Sequence, residues 1–135
     1  MVKEVLITVG GLVVGATAAY VIYALVKYMK KQNELGITPE KAYFDEFNLH
    51  EVKRWFSENI KSEDEVGILF YPTEENQKKY NLNLELTNNT IIQVVYNQKN
   101  DEVIKYREVT FGEMSEKLNK LMEDNGGTIV IENSL

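Results

Sequence analysis

Residues 5–26 (VLITVGGLVVGATAAYVIYALV) form an uninterrupted run without a charged side chain. At about 1.5 Å per residue a helix of that length crosses a hydrocarbon core of roughly 30 Å. The pattern therefore predicts a single transmembrane helix over 5–26, preceded by a short tail over 1–4. Tyr20, Tyr23 and Tyr28 gather at its C-terminal end, where aromatic rings favour the membrane interface, and Lys27, Lys30 and Lys31 follow. Only Lys3, offset by Glu4, precedes the run. The positive-inside tendency then predicts a cell-membrane protein with its N-terminus outside and its C-terminal body in the cytoplasm. A cleaved signal peptide would use Ala16-Thr17-Ala18, but the apolar run continues through Tyr20-Val21-Ile22. A buried helix would need a protein shell on every side, which the remaining chain could scarcely supply while burying its own sheet. Within the run, Gly11 and Gly15 form a G-x-x-x-G. With Ala18 and Ala19 they make a small-residue face through which two helices could pair as a homodimer in lipid.

Beyond a basic and polar linker over 27–37, the periodicity becomes that of a folded domain over 38–135. Gly36 suits a helix C-cap, and Thr38-Pro39-Glu40 offers a helix start with proline in the first turn. Asn48 with Glu51 three residues on makes a capping box. Leu49, Val52, Phe56 and Ile60 then recur on one helical face, with Trp55 beside them. Residues 66–71 read as a buried strand stopped by Pro72. Residues 81–87 alternate strictly, and Asn88-Asn89 suits a hairpin turn. Residues 91–96 are apolar on both faces apart from Gln93, which predicts a central strand. Residues 103–109 follow after a turn at Lys99-Asn100-Asp101. The period then becomes helical through Phe111, Met114, Leu118, Leu121 and Met122. Asn125-Gly126-Gly127 ends that helix and residues 128–131 form a last strand. The expected fold class is α+β, a helix followed by β-β-β-β-α-β, with a small antiparallel sheet carrying its helices on one face.

Charge divides the chain. The net charge is -6 over 135 residues, but residues 1–31 carry +3 and residues 32–135 carry −9. A body that acidic disfavours nucleic acid as a partner. The absence of cysteine removes disulfides, thiolate metal sites and thiol nucleophiles. The single histidine, His50, lies beside the helix cap without H-E-x-x-H spacing, and reads as a surface residue. Glu63-Asp64-Glu65 and Glu74-Glu75 lack the alternating ligand order of a calcium loop. Gly126-Gly127 follows a helix, so it is not a phosphate-binding loop. No cofactor, metal site or catalytic motif is implied, and the reading favours a protein without enzymatic activity. High lysine and asparagine against two arginines fits the coding bias of a bacterial source.

Glu4-Val5-Leu6-Ile7-Thr8-Val9 resembles the start of the type IV pilin hydrophobic helix, although Val2-Lys3 stands where the Gly-Phe processing site would be. That resemblance implies an extracytoplasmic body, as a pilin-like or binding module. The leading expectation is a membrane-tethered interaction or scaffold domain that meets a membrane-associated protein partner. It would contact the bilayer through residues 5–26. Tyr96, Lys105, Tyr106 and Arg107 are the candidate partner surface on an open sheet face. A small ligand-binding domain or enzyme using that face is the other reading.

Overall fold

In a computed structural model, residues 4–8, 11–72, 74–79 and 89–134 are described, with side chains described over 21–72, 74–75, 77–78 and 89–131. The elements are β1 (Glu4–Thr8), α1 (Gly11–Glu34), β2 (Glu40–Phe47), α2 (Leu49–Asn59), β3 (Glu65–Phe70), α3 (Glu74–Lys79), β4 (Thr90–Asn97), β5 (Glu102–Met114), α4 (Glu116–Asp124) and β6 (Thr128–Ser134). The strands form one sheet in the order β1-β6-β3-β4-β5-β2. Every neighbouring pair is antiparallel except β2 with β5, so the sheet is mixed, not purely antiparallel.

Both faces of the sheet are covered, not one. On one side Val52, Trp55 and Phe56 of α2 and Leu118 and Met122 of α4 pack with Leu69, Ile91, Val95, Val109, Ile129 and Ile131. On the other side Val21, Ile22 and Leu25 of α1 pack with Ile68, Phe70, Ile92, Val94, Tyr96, Tyr106 and Val130. Alternate residues of β4 thus serve opposite layers, which is why its sequence is apolar on both faces.

This arrangement overturns the expected transmembrane segment and the single-pass membrane character that followed from it. The uncharged run is divided between β1, which holds its β-prone Val5-Leu6-Ile7-Thr8 stretch, and α1, which starts at Gly11. No helix of the described residues is long and apolar enough to cross a membrane. Apolarity can equally be satisfied by a protein interior, and the described side chains Val21, Ile22 and Leu25 of α1 are buried against the sheet. The expected bilayer contact through residues 5–26 therefore has no span to carry it. Because Glu4–Thr8 is a strand, the likeness of Glu4–Val9 to a pilin helix also falls.

The expected interface residues are not a belt. Tyr28 sets its ring edge-on against Tyr106 at 5.8 Å, and its hydroxyl donates to the Ile104 carbonyl at 3.5 Å. Tyr23 is exposed, with the Lys27 ammonium 5.7 Å from its ring centre, and Lys30 and Lys31 face solvent. Gly11, Gly15, Ala18, Ala19 and Tyr20 sit on α1, but their side chains lie outside the described residues, as do the strand expected over 81–87 and Asn88 of its turn.

Local signals explain most boundaries. Asn48 Oδ1 accepts from the Glu51 N–H at 3.0 Å and starts α2, and Ser115 Oγ accepts from the Leu118 N–H at 3.3 Å and starts α4. Gly36 and Gly126 take φ of 73° and 65° at the ends of α1 and α4, the left-handed geometry that glycine adopts without strain. The helix start expected at Thr38-Pro39-Glu40 is instead the entry to β2. The expected switch to helix at Phe111 comes only after Met114, because β5 extends far enough to hold β2 along its length.

Tyr96 provides a test of the α1 layer. Its hydroxyl donates to Asp101 Oδ1 at 2.5 Å, and burial first, then that bond and the Asp101 charge, push its pKa from 10.0 up to about 12. A phenol whose pKa is raised on folding contributes stability that is fully present below its unfolded value. That stability is lost as the pH rises from 10.0 through about 12. Denaturation profiles of wild type and Tyr96→Phe should therefore diverge in slope only in that alkaline window. Parallel profiles there would refute the assignment.

Candidate functional site

The parallel pairing of β2 with β5 sets Glu40 opposite Arg107, and the antiparallel pairing of β4 with β5 sets Gln93 opposite Arg107. Three polar residues thus lie in a row across three strands, on the face that α2 covers. Arg107 is 7% exposed and Gln93 is fully buried. Gln93 links the layers. Its Nε2 donates to the Val52 carbonyl of α2 at 3.3 Å, and its Oε1 accepts from Arg107 Nε at 2.7 Å. The guanidinium carbon lies 5.1 Å from the Trp55 ring centre and 5.6 Å from that of Phe44, within the range of cation–π attraction.

Around this cation the charges fall into two groups, a pair and a triad. Glu40 accepts from Trp55 Nε1 at 2.9 Å through one oxygen and meets Lys105 Nζ at 3.2 Å through the other, while Lys105 also donates to Asn59 Oδ1 at 3.0 Å. On the exposed side of α2, Arg54 lies 3.9 Å from Glu51 and 3.6 Å from Glu58, looser contacts on a side chain that is 63% exposed. Phe44, Glu51, Arg54, Trp55, Glu58 and Arg107 enclose a cleft of about 200 Å³. Burial pulls the Arg107 pKa below its ordinary value, Glu40, Glu51 and Glu58 pull it back up, and Arg54 lowers it further. The guanidinium stays charged at neutral pH, because arginine titrates far above it.

One feature separates Arg107 from an ordinary buried ion. Among the described residues it has no carboxylate within ion-pair distance, and neither Nη nitrogen has a hydrogen-bond partner. A planar pair of N–H donors held in place by aromatic rings and by Gln93 is preorganised for a carboxylate, which accepts two parallel hydrogen bonds.

The residues expected to form one surface fall on opposite sides. Tyr96 and Tyr106 point into the α1 layer and are buried, whereas Lys105 and Arg107 face α2. Two larger depressions border α1. One of about 340 Å³ lies between Val26, Met29, Ile37, Pro39 and Tyr106, and one of about 860 Å³ lies beside Lys27, Lys31, Asp101 and Glu102. Neither holds a buried cation. Among the described residues no three His, Asp or Glu side chains converge as a metal site, and His50 is exposed.

The sequence reading singles out Arg107 but misses Glu40, Phe44, Arg54 and Gln93 as site residues, and places Trp55 only beside an apolar helical face. A signal existed: the chain has two arginines, Arg54 and Arg107, and both line this cleft. Gln93, the single polar interruption of an apolar strand, marked the other end of the network. Comparison with protein-family models, curated proteins and solved structures finds no match to this chain.

Proposed function

We propose that this chain is a binding module that takes an acidic group of a protein partner into the Arg107 cleft. The observation that carries this reading is the buried guanidinium whose two Nη nitrogens are unpartnered while its Nε is fixed. The Nη nitrogens are not among the fully buried unpartnered atoms, so they open on the cleft, where an entering carboxylate completes their hydrogen bonds. The volume, about 200 Å³, suits a side chain rather than a drug-sized molecule. Glu51 and Glu58 on the rim repel a dianion more strongly than a monoanion, which favours a carboxylate over a phosphate. Arg54 is close enough to exchange its loose partners for the incoming acid.

Trp55 is the single tryptophan of the chain and lies against the guanidinium, so its fluorescence reports occupancy directly. Titration with short blocked peptides carrying one Asp or Glu should give a saturable change, with the Asn or Gln counterpart at least about tenfold weaker. Arg107→Lys retains charge but loses the fork, and should weaken acid binding by about tenfold. Arg107→Met should remove the preference for acid over amide. Equal affinity for acid and amide, or an Arg107→Met variant that is folded by circular dichroism and keeps the preference, would overturn the proposal.

A further inference from the structure

The strand beside the cleft is also an edge. β2 ends the strand order, and its outer side has no strand partner among the described residues. Edge strands are templates for further pairing, and natural proteins guard them with charge. β2 carries Glu40, Lys41, Asp45 and Glu46, and its central Tyr43 is 63% exposed. These charges are not placed at random with respect to a second copy of the same strand.

A two-fold axis perpendicular to the sheet keeps the α1 layers on one side and the α2 layers on the other. It therefore pairs residues that point to the same face, and the sum of paired residue numbers is even. Centred on Ala42 or on Phe44, such an antiparallel pair places no opposite charges across from each other. Centred on Lys41 it opposes two lysines, and centred on Asp45 two aspartates. Centred on Tyr43, however, Lys41 of each copy faces Asp45 of the other, twice, with the two tyrosines meeting at the axis. On the opposite face Ala42 of each copy meets Phe44 of the other, a small residue against a large one. Directly opposed cross-strand pairs of this kind are the stabilising units of a sheet. The register sets Glu40 across from Glu46, but the Glu40 carboxylate is already engaged by Trp55 and Lys105. Among the described residues, the intramolecular claim on Lys41 is weak, a 4.0 Å approach to Glu108.

We infer that this chain forms a homodimer by antiparallel pairing of β2 with β2 in the register centred on Tyr43. The dimer joins the six described strands of one copy to those of the other in a continuous sheet. Phe44 lies in the paired strand and also walls the Arg107 cleft, so the two clefts come to the same face, one on each side of the axis. Such a dimer presents two acid-binding sites to one partner, and the gain is an effective concentration set by their spacing. The dimer stands whether or not the cleft takes a carboxylate, because its test measures mass and not ligand.

Sedimentation velocity on the full chain over a concentration series up to ~1 mM is the direct measurement. Wild type is expected to shift from monomer to dimer. Lys41→Asp and Asp45→Lys each place like charges across both symmetric positions, and each should weaken association by roughly tenfold or more. The double variant Lys41→Asp with Asp45→Lys restores opposite charges in the same register and should recover dimerisation to within a few-fold of wild type. Circular dichroism and Trp55 emission confirm that each variant is folded. Tyr43→Arg, which sets two like charges at the axis, gives an independent disruption. A wild-type chain that remains monomeric throughout, folded single variants that associate like wild type, or a folded double variant that does not recover would each overturn the inference.

Discussion

Gly67→Ala is expected to lower the unfolding free energy by about 1–3 kcal/mol, read from the midpoint of a urea transition. Gly67 lies within β3, where its missing side chain makes room for Phe56 of α2. A Cβ there would stand 2.6 Å from two atoms of the Phe56 ring, and Phe56 is fully buried among its neighbours. The sign of the effect is diagnostic. Alanine in an unobstructed strand interior is better than glycine by roughly 0.5–1 kcal/mol, so a gain would show that α2 does not rest on this spot. The coupling can be isolated as well. Phe56→Leu removes ring atoms at the contact, and in the Gly67→Ala background it should cost less than it does alone, because residues in contact are not additive.

Leu25→Ala should cost about 2–5 kcal/mol in the same measurement. Leu25 is fully buried with Val21 and Ile22 against the sheet residues Ile92, Val94, Tyr106 and Val130. Truncation leaves a cavity lined on one side by α1 and on the other by the sheet. The readout is Trp55, which lies on the opposite face, so its transition reports the whole sheet and not the helix alone. If α1 were a separate segment, as the uncharged run suggests, Leu25→Ala would leave the Trp55 transition where it is. An unchanged midpoint would therefore refute the two-sided packing.

Those two substitutions mark the boundary between what is legible in this sequence and what is not. Helix α2 is legible because its information is local: a capping residue at Asn48, its partner at Glu51, and an apolar stripe at helical spacing. The central place of β4 is legible too, since a strand apolar on both faces needs two covering layers. The fate of the N-terminal run is not. Uniform apolarity specifies removal from water but not the medium, and lipid and a bare sheet face satisfy it equally. β2 is hidden for a different reason. Its partner β5 lies far along the chain, and the register of a parallel pair is set by tertiary packing instead of by any turn between them. The cleft inherits that difficulty. Arg107, Gln93, Glu40 and Trp55 come from four elements, and only the strand register brings them together. Each is visible in the sequence as a local irregularity, without anything to say that the irregularities meet.

The order in which the layers are made has a consequence for biosynthesis. α1 is made well before its packing partners on β4, β5 and β6, and β1 must wait for Ser134 to complete its register. Throughout that interval an apolar helix has no surface to cover, a condition that invites aggregation or capture by a chaperone. Docking of α1 therefore waits for the later strands that it covers. Substitutions that weaken α1 docking should reduce cellular yield more than their equilibrium cost implies.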